Sequence, residues 1–212
     1  MRLYDYAASA NCYKPRLLLA LTQREYERVP IDIFSGDTLT GEYAAINSAR
    51  ETPVLVLDDG SVLTQSNAIL WFLAEQTSFL PENPLERAQI VQWLFFEQER
   101  VMSGIGGARF RILAGRDPKL VPARLELAGS ALTMLEAHLD GREHLVGDSC
   151  SIADLANSAY THVAGDAGFD LEDYPAVNEW VARVAALPRF IDDLAPYPAN
   201  ARPGASRSIY DA

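Results

Sequence analysis

The chain has 212 residues, 49% of them hydrophobic, and a formal net charge of −11 at pH 7. That length suits one large domain or two small ones with a real core, and so ordinary a composition excludes wholesale disorder and a disulfide scaffold. Both halves are acidic, which argues against a nucleic-acid partner because a phosphate backbone would be repelled. The two cysteines, Cys12 and Cys150, lie in neither a CxxC pair nor a His/Cys cluster, so no metal site is expected and a reducing compartment fits. The start, Met1-Arg2-Leu3-Tyr4-Asp5, meets an acid at once, and no run approaches the ~20 apolar residues of a membrane span. The expectation is a cytoplasmic protein with no membrane partner.

In chain order, residues 2–6 form a strand candidate, followed by the polar break Ala8-Ser9-Ala10-Asn11. Arg16-Leu17-Leu18-Leu19-Ala20-Leu21 then predicts a helix, and Pro15 near its start is tolerated because first-turn amides lack intrahelical acceptors. Weak alternation over residues 27–34 suggests a second strand, and a short helix fits Glu42 to Ile46. Pro53-Val54-Leu55-Val56-Leu57, the turn Asp58-Asp59-Gly60 and Ser61-Val62-Leu63-Thr64 predict a hairpin. A helix over residues 67–76 completes the order β-α-β-α-β-β-α, which is thioredoxin-like. After the proline-rich Leu80-Pro81-Glu82-Asn83-Pro84 only helical periodicity remains, over residues 85–102, 120–139, 152–165 and 175–186, with a short helix near 188–194. The fold class is therefore α/β plus all-α. Residues 1–78 form a thioredoxin-like domain, 79–86 a linker, and 87–212 a helical-bundle domain. Its tail from Pro196 is rich in Pro, Ala, Ser and Gly and is expected to be extended or mobile.

Three segments can carry chemistry. Ser9, Asn11 and Cys12 sit at a helix N-terminus, where exposed amides and the helix dipole favour an anion such as a thiolate; plain capping by Ser9 or Asn11 is the structural alternative. Thr52-Pro53 opens a strand, where a cis bond would present backbone groups to a peptide ligand and a trans bond would mark an ordinary edge. Gln65 and Ser66 lead from a strand into a helix, where a hydroxyl and free amides can hold a carboxylate and Gln65 can accept from an ammonium.

The run Asn47-Ser48-Ala49-Arg50-Glu51-Thr52-Pro53-Val54-Leu55, then Leu63-Thr64-Gln65-Ser66-Asn67-Ala68-Ile69, resembles the N-P-x-G-x-V-P-x-L…L-x-[EQ]-S-x-A-I pattern of glutathione transferases. Ser48-Ala49-Arg50 and Thr52 depart from the usual Pro, Gly and Val. The resemblance extends over roughly residues 2–190 and includes Leu145–Asp154, where Ser151 and Asp154 have the spacing of a capping box. It implies glutathione as co-substrate, a cis bond before Pro53, and glutathione contacts from Thr52, Pro53, Gln65, Ser66 and Arg50, the last for the glycine carboxylate. It also implies thiol activation by Ser9 with Asn11 as second donor, with Cys12 as competitor. Glu97-Gln98-Glu99 and Arg109-Phe110 resemble a stretch lining the co-substrate pocket in bacterial members, and the glycines from Gly104 to Gly107 suggest a helix break that admits a ligand. The implied activity is attack of glutathione thiolate on a small electrophile or a peroxide. A glutathione-dependent disulfide-bond oxidoreductase and a non-catalytic ligand-binding protein are the alternatives. Family members usually pair as homodimers, for which Trp71, Phe72, Phe95 and Phe96 offer apolar contacts.

Overall fold

In the computed structural model, which describes residues 1–211, strand β1 (Arg2–Asp5) leads into helix α1 (Ala10–Leu21). Strand β2 (Glu27–Pro30) follows, shorter than the alternation suggests because its partner β1 ends at Asp5, whose carbonyl accepts the last bond from the Ile31 amide at 2.8 Å; Pro30 sits on the sheet edge. Next come α2 (Gly41–Ile46), the hairpin β3 (Val54–Val56) and β4 (Val62–Thr64), and α3 (Ser66–Ala74). The sheet order is β2-β1-β3-β4, with β1 parallel to β2 and antiparallel to β3. Strand β3 is buried at every position, as its unbroken Val-Leu-Val requires, and Tyr43, Val54 and Val56 form a core cluster with Tyr4, Ile31 and Ile46.

The rest is helical: α4 (Pro84–Phe96), a π-helical stretch over Glu97–Gly106, α5 (Gly107–Ala114), α6 (Val121–Leu139), α7 (Ile152–Thr161) and α8 (Pro175–Ala185). The glycines do not open the chain between α4 and α5. A Cβ on Gly104 would lie 2.7 Å from the Ala128 backbone nitrogen, and one on Gly106 2.6 Å from the Tyr160 ring. These glycines permit close helix packing rather than a ligand-admitting break. No helix forms near 188–194; that stretch is a turn followed by extended chain.

The described chain divides into two compact units, residues 1–73 with the segment from Asp192 on, and residues 74–191. The boundary thus lies a few residues earlier than the sequence suggests, and the C-terminal segment belongs with the sheet rather than the helices. Charge explains the attachment. The Arg16 side chain is wholly buried and pairs with Asp5 of β1 and with Asp193, whose carboxylate also accepts from Arg16 Nε at 3.1 Å. A buried guanidinium needs such partners to offset its lost hydration. Farther along, the Ala195 amide donates to Ala7, Asn200 Nδ2 to Asp32 at 2.8 Å, and the Arg207 amide to Phe34 at 2.8 Å, and Ala201 is fully buried. Among the described residues no helix is long and apolar enough to cross a membrane.

Candidate active site

Helix α1 begins with Ser9 as N-cap in extended conformation, its Oγ accepting from the Cys12 amide at 3.4 Å. That contact uses a lone pair, so the hydroxyl proton remains to be donated. Ser9 and Asn11 are both half-buried and hence reachable. Cys12 is not: it is fully buried, and its Sγ accepts from the Tyr6 amide at 3.3 Å. Burial, reinforced by the negative charge of Asp5, pushes the Cys12 thiol up to about 11. A thiol so placed is a poor nucleophile at neutral pH. Tyr4 and Tyr6 are packed edge-to-face on Tyr43 and Phe34.

Ser66 is the first residue of α3 and is buried. The sheet brings it to Asn11, whose Oδ1 accepts from Ser66 Oγ at 3.3 Å. A third residue joins them that the sequence did not single out. Lys14, wholly buried, donates from Nζ to Asn11 Oδ1 at 2.9 Å, Ser66 Oγ at 3.3 Å and Asn67 Oδ1 at 3.4 Å. Its signal was the Asn11-to-Lys14 interval, since side chains three apart on a helix are neighbours. Its burial, 52 residues from Ser66 in sequence, had no local signature.

The Thr52–Pro53 bond is cis. Arg50 and Gln65 both adopt left-handed φ, 58° and 68°, as do four other non-glycine residues outside the candidate site. Arg50 Nη1 donates to the Thr38 carbonyl at 2.9 Å and the Thr40 carbonyl at 3.3 Å, so part of the guanidinium holds the loop before α2. Gln65 Nε2 donates to Glu51 Oε2 at 3.4 Å, leaving Gln65 Oε1 to accept. In the helical unit Arg109 is buried, with Nε donating to Asp166 at 2.7 Å; Phe110 is half-buried.

The capping box at α7 is fully formed. Ser151 Oγ accepts from the Ala153 amide, and Asp154 Oδ2 accepts from the Ser151 amide at 2.8 Å. Asp154 Oδ1 also accepts from the Leu145 amide and from Trp180 Nε1, each at 2.9 Å. His144, Cys150 and Asp154 bring potential metal ligands within 4.8 Å of one another, but both Asp154 oxygens are already saturated by these donors.

Residues 8–76 match the N-terminal domain model of the glutathione S-transferases, and residues 87–188 match their C-terminal domain model. The chain belongs to the glutathione S-transferase family. It is accordingly an enzyme of the glutathione transferase type. A solved glutathione S-transferase from Xanthobacter autotrophicus Py2 is 41% identical, with a TM-score of 0.86 over 92% of this chain and 97% of that one. One from Pseudomonas fluorescens Pf-5 is also 41% identical, with a TM-score of 0.87 over 92% and 98%. The disulfide-bond oxidoreductase YfcG of Escherichia coli is 29% identical over 195 residues, 86% of this chain and 89% of that protein.

Proposed function

We propose that this transferase holds the thiol of glutathione as a thiolate and directs it at a small electrophile or a peroxide. The carrying observation is the contrast within one helical turn: Ser9 and Asn11 are reachable donors, while Cys12 is sealed with its thiol pushed up to about 11. A free thiol near pKa ~8.5 must drop by about two units to be mostly ionised at neutral pH, which takes roughly 2.7 kcal/mol of preferential thiolate stabilisation. A hydroxyl donor, an amide donor and the positive end of α1 are sufficient in kind and scale.

The tripeptide's other groups find matching chemistry. Its γ-glutamyl carboxylate meets the Ser66 hydroxyl and the free amides at the start of α3, and its ammonium meets Gln65 Oε1 beside the Glu51 carboxylate. The Thr52 backbone beside Pro53 takes the cysteinyl peptide group, and the Arg50 guanidinium attracts the glycine carboxylate. We assign a homodimer as well, since Phe72 and Phe95 remain 42% and 70% exposed in the single chain. Light scattering should give about twice the chain's 23.3 kDa at micromolar concentration.

A second reading, glutathione-dependent disulfide-bond oxidation and reduction, is supported by the Escherichia coli relative. It uses the same thiolate and changes only the electrophile, from carbon or peroxide to a disulfide sulfur. Turnover of an aryl halide, an organic peroxide and an organic disulfide, each with and without glutathione, separates the two. Turnover of the disulfide alone would overturn the first.

A further inference from the structure

Lys14 is a cation placed against the rules of its surroundings. Helical side chains lean toward the N-terminus, so the ammonium of Lys14 reaches back to the first turn of α1, the positive end of the helix dipole. Its side chain is wholly buried, where an ammonium loses hydration and must be hydrogen-bonded. It donates to three neutral oxygens of the candidate site: Asn11 Oδ1, Ser66 Oγ and Asn67 Oδ1.

An ammonium has three donors and no acceptor, so it accepts only one face of the Asn11 amide. Oδ1 must turn toward Nζ, at 2.9 Å, and the Ser66 hydroxyl donates to the same oxygen at 3.3 Å. On a planar amide the Nδ2 group then faces the other way. Among the described residues Nδ2 donates to no protein group, although Asn11 is only half-buried. Without Lys14 the amide could flip and offer an oxygen lone pair, which would repel a thiolate.

We infer that Lys14 is a positioning residue, locking Asn11 in the one amide orientation that donates to the thiolate of glutathione. This rests on the proposed role of Asn11. It further implies that Ser66 and Asn11, which hold opposite parts of the tripeptide, share one anchoring cation, and that Lys14 acts on the thiol through Asn11 rather than by touching it.

The test compares the full-length protein with Lys14→Met, Asn11→Ala and the double variant. The pKa of bound glutathione is read from thiolate ultraviolet absorbance against pH, glutathione affinity by calorimetry, and folding by thermal melting. Lys14→Met and Asn11→Ala should each raise the bound thiol's pKa by about one unit, a tenfold loss of thiolate at a pH below both values. The double variant should go no further than Asn11→Ala alone. An unchanged pKa in folded Lys14→Met, with a raised one in Asn11→Ala, overturns the positioning role and leaves the proposed function standing. Additive shifts also overturn it, because Lys14 would then act by its own charge. Unchanged values in both single variants overturn the role of Asn11 and the inference together. Should Lys14→Met not fold, Lys14→Gln, whose amide falls about one bond short of Asn11, should show the same upward shift, and an unchanged pKa there overturns the proposal equally.

Discussion

Two helix N-termini in this molecule are capped by serine, and they have opposite fates. At α7 the chain satisfies itself: Ser151 and Asp154 are buried, and the Asp154 carboxylate accepts from two backbone amides, a hydroxyl and the Trp180 indole. At α1 the first turn holds no acid, the Ser9 cap is long at 3.4 Å, and Ser9 and Asn11 stay half-buried with donors to spare. An N-terminus that its own chain saturates is architecture. One left unsaturated, with the Ser66 hydroxyl bonded to its Asn11, can take an anion. The cap residue is the same in both, so what distinguishes them is whether the chain itself supplies a negative charge.

Removing that internal anion should produce the largest effect. Asp154→Ala strands four buried donors, and at about 1–3 kcal/mol for each buried group left unsatisfied the loss should reach roughly 3–5 kcal/mol, allowing for partial rehydration. Urea unfolding measures it, and the folded fraction should bind glutathione as before. A loss under about 1 kcal/mol would erase the contrast between the two caps. Next, Ser66→Ala should weaken glutathione binding by about 1–3 kcal/mol, the range for a hydrogen bond to a charged group. Calorimetry checks it, and unchanged affinity would place the γ-glutamyl carboxylate elsewhere.

Ser9→Ala should slow conjugation by roughly ten- to a hundredfold and raise the bound thiol's pKa, since each unit corresponds to about 1.4 kcal/mol. Its stability cost should sit at the low end for a cap, about 0.5 kcal/mol, because the contact is long. A large stability loss with unchanged kinetics would make α1 a second α7. At neutral pH Cys12→Ala should have the smallest effect, leaving kcat/KM within about threefold. Its signature lies in alkali. Below pH 9 the Cys12 thiol is protonated in folded and unfolded chains alike; above it only the unfolded chain ionises, until about pH 11. Stability should therefore fall across that window, by up to roughly 2.7 kcal/mol from this group. Tyr13, Tyr43 and Cys150 are also pushed upward by burial and add the same sign, so the measurement is the difference between wild type and Cys12→Ala. Abolished activity in Cys12→Ala would transfer the chemistry to cysteine.

The sequence by itself determined whatever depends on neighbours within about one helical turn or one hairpin. The N-cap Ser151, the Asp154 return bond, the hairpin turn at Asp58-Asp59-Gly60 and the helical periodicity after Pro84 are such features, and the cap of α1 was narrowed to Ser9 or Asn11, because capping and patterning are local. The glutathione transferase motif also named Ser66, Gln65 and the Thr52–Pro53 bond. What tertiary structure alone decided needs partners far apart in the chain. Cys12 and Ser9 stand three residues apart, yet packing seals one and leaves the other open. Gly104 and Gly106 look like helix breakers until Ala128 and Tyr160 press against them. The tail from Pro196 looks mobile until Asn200 meets Asp32 and the Arg207 amide meets the Phe34 carbonyl. Lys14 looks like one more helix cation until α3 places Ser66 and Asn67 on its ammonium. Burial of a charge is a property of the assembled surfaces around it, and no spacing within a dozen residues encodes it.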